Sequence, residues 1–120
     1  MPNDATYFME GTVAEAIATY FLVSTVLLTA VDTSSNVLAP LAIGLSIMVD
    51  IFAVGNVSGA SMNPARSFGP AVAFSILGDG DSKHWDMHHI YWVGPLLGAV
   101  FAALFYRLFL AKESKRLLLK

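Results

Sequence analysis

Apolar residues in this chain follow neither the two-residue period of a half-buried strand nor the single stripe of a surface helix. They fill whole stretches on every face, which predicts helices surrounded by apolar material. The first stretch, AIATYFLVSTVLLTAV, runs without a charge between Glu15 and Asp32. Extended back through Thr12, Gly11 and Phe8 it covers 8–31, with Glu15 the one charge beyond its first turn. A second, VLAPLAIGLSIMVDIFAV over 37–54, holds only Asp50, read as a polar boundary near its end. The third, IYWVGPLLGAVFAALFYRLFL over 90–110, holds only Arg107, close enough to its end to snorkel. About 20 mostly apolar residues cross a bilayer, so the expectation is three transmembrane helices. No signal peptide is expected, because the first stretch is too long and has no basic segment before it.

Between the second and third stretches lies GNVSGASMNPARSFGPAVAFSIL, apolar but broken by Gly55, Gly59, Gly69, Pro64 and Pro70. Irregular backbone at membrane depth is tolerated only where protein buries it or a wet cavity receives it. The segment 55–76 therefore reads as a re-entrant loop and half-helix marking a pore or a site. Asn63 is a favoured N-cap and Pro64 a favoured first helical residue, so the half-helix starts there, with a bend or break expected near Gly69 and Pro70. Its N-terminus would bring about half a positive charge into the membrane, repelling cations and orienting water. The Asn63 amide could donate into a lumen, and the carbonyls of Gly59, Ala60, Ser61 and Met62 could accept from a permeant. Arg66, permanently charged, needs carbonyl or water partners there.

Composition narrows the function classes. The 120 residues are 56% hydrophobic and only 13% charged, against about 25% charged in ordinary globular domains. A formal net charge of -2 offers no phosphate-neutralising surface, so nucleic acid is not an expected partner. The chain has no Cys, which excludes disulfides, zinc-thiolate sites and thiol nucleophiles. No metal or other cofactor is expected, and no nucleophile, base and orienting group form a recognisable catalytic set. Four of the seven basic residues, Lys112, Lys115, Arg116 and Lys120, follow the last stretch, which places the tail 111–120 in the cytosol. Met1 and the loop with Asp79, Asp81 and Asp86 then face outward. The membrane itself, plasma or intracellular, is not legible.

These residues carry a family resemblance. SGASMNPARSFGPA, from Ser58 to Ala71, resembles the second Asn-Pro-Ala loop of the aquaporin, or major intrinsic protein, family. VAEAIATYF, LAPLAIGLSIMVDIFAVG and HWDMHHIYWVGPLLGAVFAALFYR resemble that family's fourth, fifth and sixth membrane helices. The resemblance implies an all-α membrane protein: half of an aquaporin-like bundle, three transmembrane helices plus one re-entrant half-helix. It further implies a passive channel for water and small neutral solutes, packed as a homotetramer in the bilayer and completed by an N-terminal half. In that scheme Asn63, Pro64 and Ala65 form the pore motif, while Arg66, Ile51 and Ala60 line the selectivity filter. Gly59, Ala60, Ser61 and Met62 offer the pore-lining carbonyls, and Glu15 braces their backbone. Orthodox water channels usually carry His where Ile51 stands, so this filter should be wider and less polar on that side. VDIFAVGNVSGASMNPARSFGPAVAF is similar to the aquaporin-8 and plant tonoplast branch, associated with water, ammonia and hydrogen peroxide. Glycerol conductors usually have Asp after the motif arginine, where this chain has Ser67.

Other features allow two readings. Asp50 is a proton-relay carboxylate or, the favoured reading, a polar brace. Gly94 and Gly98, continued by Ala99 and Ala103, form a small-residue packing face. His84, His88 and His89 with Asp79, Asp81 and Asp86 bind a cation, sense pH or, as favoured, belong to a solvated outer loop. Tyr91 and Trp92 suit an interfacial aromatic belt. Only one Asn-Pro-Ala is present, so the expectation is a fragment of a longer channel that conducts poorly alone. The alternative is a short non-conducting membrane protein that joins full-length channels through the Gly94 and Gly98 face.

Overall fold

The computed structural model describes residues 4–32, 36–78 and 83–111, and all regular structure among them is helical. Helix α1 (Asp4–Val26) continues into a wider turn, Leu27–Val31. There the Thr25 hydroxyl donates to the Phe21 carbonyl at 2.9 Å and the Thr29 hydroxyl to the Thr25 carbonyl at 2.6 Å, competing with the helix ladder for acceptors. Helix α2 (Ala39–Ser58) is entered through Asn36, whose side chain accepts from the Leu38 N–H at 3.0 Å, with a proline in its first turn. Helix α3 (Pro64–Leu77) follows, then a single 3₁₀ turn (Lys83–Trp85) and helix α4 (Ile90–Phe105), extended by Tyr106–Leu110.

Length sorts these helices. The apolar spans Thr6–Val31, Ala39–Ser58 and Lys83–Leu110 hold 26, 20 and 28 residues. At the helical rise they reach roughly 30–42 Å, enough for a hydrocarbon core of about 30 Å. The 14 residues of α3 reach roughly 21 Å and cannot cross. Three spans and one half-helix is the arrangement the apolar pattern implied.

Two boundaries differ from the pattern. The second helix does not stop at 54: it runs to Ser58, because Gly55 is accommodated inside it and only Gly59, at φ +87°, turns the chain. The irregular run is accordingly 59–63. Nor does α3 break at Gly69 and Pro70, since Pro70 sits inside a continuous helix; a proline removes one ladder bond without forbidding the helical φ of its neighbours. Thr33, Ser34, Ser35, Asp79, Asp81 and the basic tail from Lys112 lie outside the described residues.

Helix α4 packs closest against α1. A Cβ on Gly94 would stand 2.6 Å from Glu15 Cβ and 2.8 Å from the Thr12 carbonyl oxygen. One on Gly98 would run into the Ala16 carbonyl oxygen. Such an approach is open only to glycine, and it consumes the Gly94 and Gly98 face inside this chain. The idea of a partner docking through that face is overturned by the packing.

On its other side α1 meets α2, joined by a 3.4 Å contact from the Thr25 hydroxyl to Ser46. Ser46 in turn bonds the Asp50 carboxyl. Asp50 is thus no boundary residue: it is buried inside α2, and its Oδ2 has no hydrogen-bond partner. Lower along this seam a small core of Ala18, Ala60 and Met62, flanked by Leu22, Ile47 and Val54, brings the irregular run between α1 and α2. Elsewhere the faces are apolar and open, Phe52, Ile76 and Leu77 being among the most exposed. Such surfaces require lipid or further protein.

Candidate functional site

Helix α2 ends where Gly59 adopts φ +87°, and two non-glycine residues, Ala60 at +52° and Met62 at +56°, follow in the left-handed region. Each such residue costs on the order of 1–3 kcal/mol and persists only when its surroundings over-determine it. Glu15 supplies the constraint. Fully buried on α1, it accepts through Oε1 from the Ser58 hydroxyl at 2.7 Å and the Ser61 N–H at 2.8 Å. Its Oε2 accepts from the Met62 N–H at 2.6 Å. Two backbone donors that no helix can use are thereby paired in a buried seam, and the run is pinned to α1 at both ends.

Sequence reasoning did not find the remaining braces. The Ser58 hydroxyl also accepts from the Ala60 N–H at 3.2 Å, and Ser67 donates to the Ser61 hydroxyl at 2.6 Å, which donates to the Asn63 carbonyl at 2.9 Å. Tyr91, expected in an aromatic belt, instead turns its hydroxyl inward and donates to the Ser58 carbonyl at 2.7 Å. A tyrosine near a span's end reads as an interfacial anchor because the acceptor it meets, 33 residues earlier, leaves no trace in local pattern.

The half-helix starts as its first residues dictate. Asn63 is extended, at φ -155° and ψ 118°, and its Oδ1 accepts from the Ala65 N–H at 2.9 Å. Pro64 follows at a position where an N–H would have had no ladder partner. With Oδ1 engaged, the Asn63 Nδ2 donors remain for a ligand, and the residue is exposed. Arg66, also exposed, reaches back to the Ala60 carbonyl, a long contact of 3.5 Å that leaves most of its five donors free for other acceptors. Ile51 projects from α2 and is 39% exposed. The structure thus brings together Glu15, Ala60, Ser61 and Met62, and joins Arg66 to Ala60.

A polar recess of about 150 Å³ lies beside Arg66, lined also by Ser58, Gly59, Ser61, Ser67 and Tyr91. The end of a helix macrodipole and a guanidinium therefore share one open edge of the molecule. Their field favours neutral or anionic partners over cations. Donors from Asn63 and Arg66, with acceptors along the irregular run, suit small hydrogen-bonding solutes.

Of the three histidines only His88 is buried, while His89 is exposed. His84 Nε2 lies 2.7 Å from the Ser75 hydroxyl, His88 is buried among the rings of Phe68, Trp85 and Tyr91, and His89 stacks on Phe8 at 4.8 Å. Aromatic packing draws each a different way. Among the described residues no three His, Asp or Glu side chains gather into a group able to hold a metal ion.

A family model described as Major intrinsic protein matches residues 1–106. The chain is 49% identical over 107 residues to aquaporin-8 of Notomys alexis, covering 88% of this chain and 38% of that relative. It is 54% identical over 102 residues to aquaporin TIP2-1 of Arabidopsis thaliana, covering 82% and 37%. Against the probable aquaporin TIP4-1 of Oryza sativa subsp. japonica it is 46% identical over 114 residues, covering 92% and 42%. The chain spans about two fifths of the length of these curated relatives. With the family model covering most of its length and relatives at about half identity, this integral membrane chain belongs to the major intrinsic protein family, the aquaporins.

Proposed function

We propose that these residues supply one half of a passive transmembrane channel for water and small neutral solutes. The observation that carries the reading is the capped N-terminus of α3 beside Arg66 and the strained run 59–62. This is a polar, donor-rich edge on a chain whose helices are otherwise apolar. In this role Asn63, Pro64 and Ala65 form the pore motif, Arg66, Ala60 and Ile51 the filter, and the carbonyls of 59–62 the acceptor track. Glu15 holds that track in place. A second half, with its own half-helix entering from the opposite face, closes the lumen, and four complete protomers assemble in the bilayer. The basic tail from Lys112 lies in the cytosol, following the positive-inside rule. An apolar, part-exposed Ile51 suits ammonia and hydrogen peroxide as well as water.

Stopped-flow swelling of proteoliposomes holding the complete channel tests the proposal. The expected result is swelling faster than empty vesicles, and an Arg66→Ala variant that admits larger neutral solutes such as urea. Swelling no faster than empty vesicles overturns the channel reading; unchanged solute selectivity in the variant overturns the filter assignment.

A further inference from the structure

The proposed mechanism assigns no role to Tyr91 of α4, yet this residue touches the segment on which that mechanism depends. Its hydroxyl donates to the Ser58 carbonyl at 2.7 Å, at the last residue of α2. The Gly59 N–H closes onto the Gly55 carbonyl at 3.0 Å, so Ser58 is the hinge between a regular helix and three residues with positive φ. Glu15 grips the hinge from α1 through the Ser58 side chain. Tyr91 grips it from α4 through the main chain. Helix-end carbonyls have no ladder donor of their own, and the phenol meets this one. The ring is itself located, 5.7 Å from the buried His88 ring, so the hydroxyl is delivered by a packed scaffold and not by a free rotor.

Consequences run along the chain. Ala60, two residues past Ser58, is fully buried, and its carbonyl is the acceptor that Arg66 reaches at 3.5 Å. That contact is long enough that a small shift of the Ala60 carbonyl breaks it. Tyr91 also lines the recess beside Arg66 together with Ser58, Gly59 and Ser61.

We propose that Tyr91 is a positioning residue: through the Ser58 carbonyl it sets the run 59–62, and through the Ala60 carbonyl the seat of Arg66, so that its hydroxyl tunes solute selectivity. The selectivity half of this statement rests on the channel reading above. Tyr91→Phe removes the hydroxyl and keeps the ring, so α4 and its contacts with α1 are preserved.

Two measurements on the complete channel, parent and Tyr91→Phe, decide it. In proteoliposomes the variant is expected to keep its water permeability within about twofold while its urea-to-water permeability ratio rises several-fold. In amide hydrogen exchange Ser61 and Met62 are expected to lose protection by roughly fivefold, the factor for one ordinary hydrogen bond, with α1 and α4 amides unchanged as the control for folding. An unchanged ratio in a conducting parent overturns the proposal, whatever the exchange shows. If the parent itself does not conduct, the channel reading fails and exchange alone decides: unchanged Ser61 and Met62 protection overturns the positioning role, and faster exchange upholds it.

Discussion

Replacing Glu15 by Gln is the sharpest perturbation of the loop, because the carboxylate accepts three hydrogen bonds and donates none. The amide keeps a single oxygen. If that oxygen retains the Ser58 hydroxyl and the Ser61 N–H, its NH₂ group faces the Met62 N–H, donor against donor, where a 2.6 Å bond had been. A bond to a charged acceptor contributes about 1.5–3 kcal/mol, and the two survivors weaken by roughly half when the charge goes. The unfolded chain in a membrane also re-pairs some donors, which lowers the net figure. The expected loss is about 2–4 kcal/mol, larger for Glu15→Ala, which removes both acceptor oxygens and leaves a cavity. SDS titration of the chain in mixed micelles, followed by the fluorescence of Trp85 and Trp92, reads the stability, and amide exchange at Ser61 and Met62 reads the site. Glu10→Gln, at an exposed position on the same helix, should change stability by less than about 0.5 kcal/mol. A Glu15→Gln loss as small as that, with Ser61 and Met62 protection intact, refutes the view that Glu15 anchors the run.

Further predictions follow the same geometry. Asn63→Ala should cost about 1 kcal/mol and speed exchange at Ala65, whereas Asn63→Asp, which keeps the capping oxygen, should preserve protection. Gly98→Ala should destabilise by about 1–3 kcal/mol, because its Cβ meets the Ala16 carbonyl. Gly44→Ala, with nothing within 4 Å, should be neutral or stabilise by up to about 1 kcal/mol, both read by thermal denaturation in detergent. Ala60→Gly should stabilise by about 0.5–1 kcal/mol by relieving φ +52°, and Ala60→Val should destabilise, since a β-branched residue resists that conformation; the same denaturation separates them.

What the sequence disclosed and what it hid divide along a physical line. Apolar stretches filling every helix face announce spans because lipid rewards them at each position. The cap at Asn63 and Pro64 is equally local, since the preference of each residue type for its position needs no distant partner. The end of α2 was misjudged because a glycine in a helix and a glycine that ends one look alike until the backbone shows that Gly59, not Gly55, takes positive φ. The Tyr91 clamp was hidden because it pairs ordinary residues 33 positions apart, where no periodicity reports contact, and the serine chain because its bonds, two to six residues long, run through an irregular stretch that follows no regular spacing. Gly94 and Gly98 were legible as a packing face, but only coordinates reveal that the face is spent on α1.

The central claim is that a pore forms only when this chain meets a complementary half. Stopped-flow water permeability should be compared between vesicles holding this chain alone and vesicles holding it with the N-terminal half of a relative such as aquaporin TIP2-1, inserted together. The account predicts permeability near that of empty vesicles for the chain alone and a clear rise for the pair, lost when Asn63 and Arg66 are both replaced by Leu. High permeability from the chain alone, or a pair no more permeable than bare lipid, contradicts it.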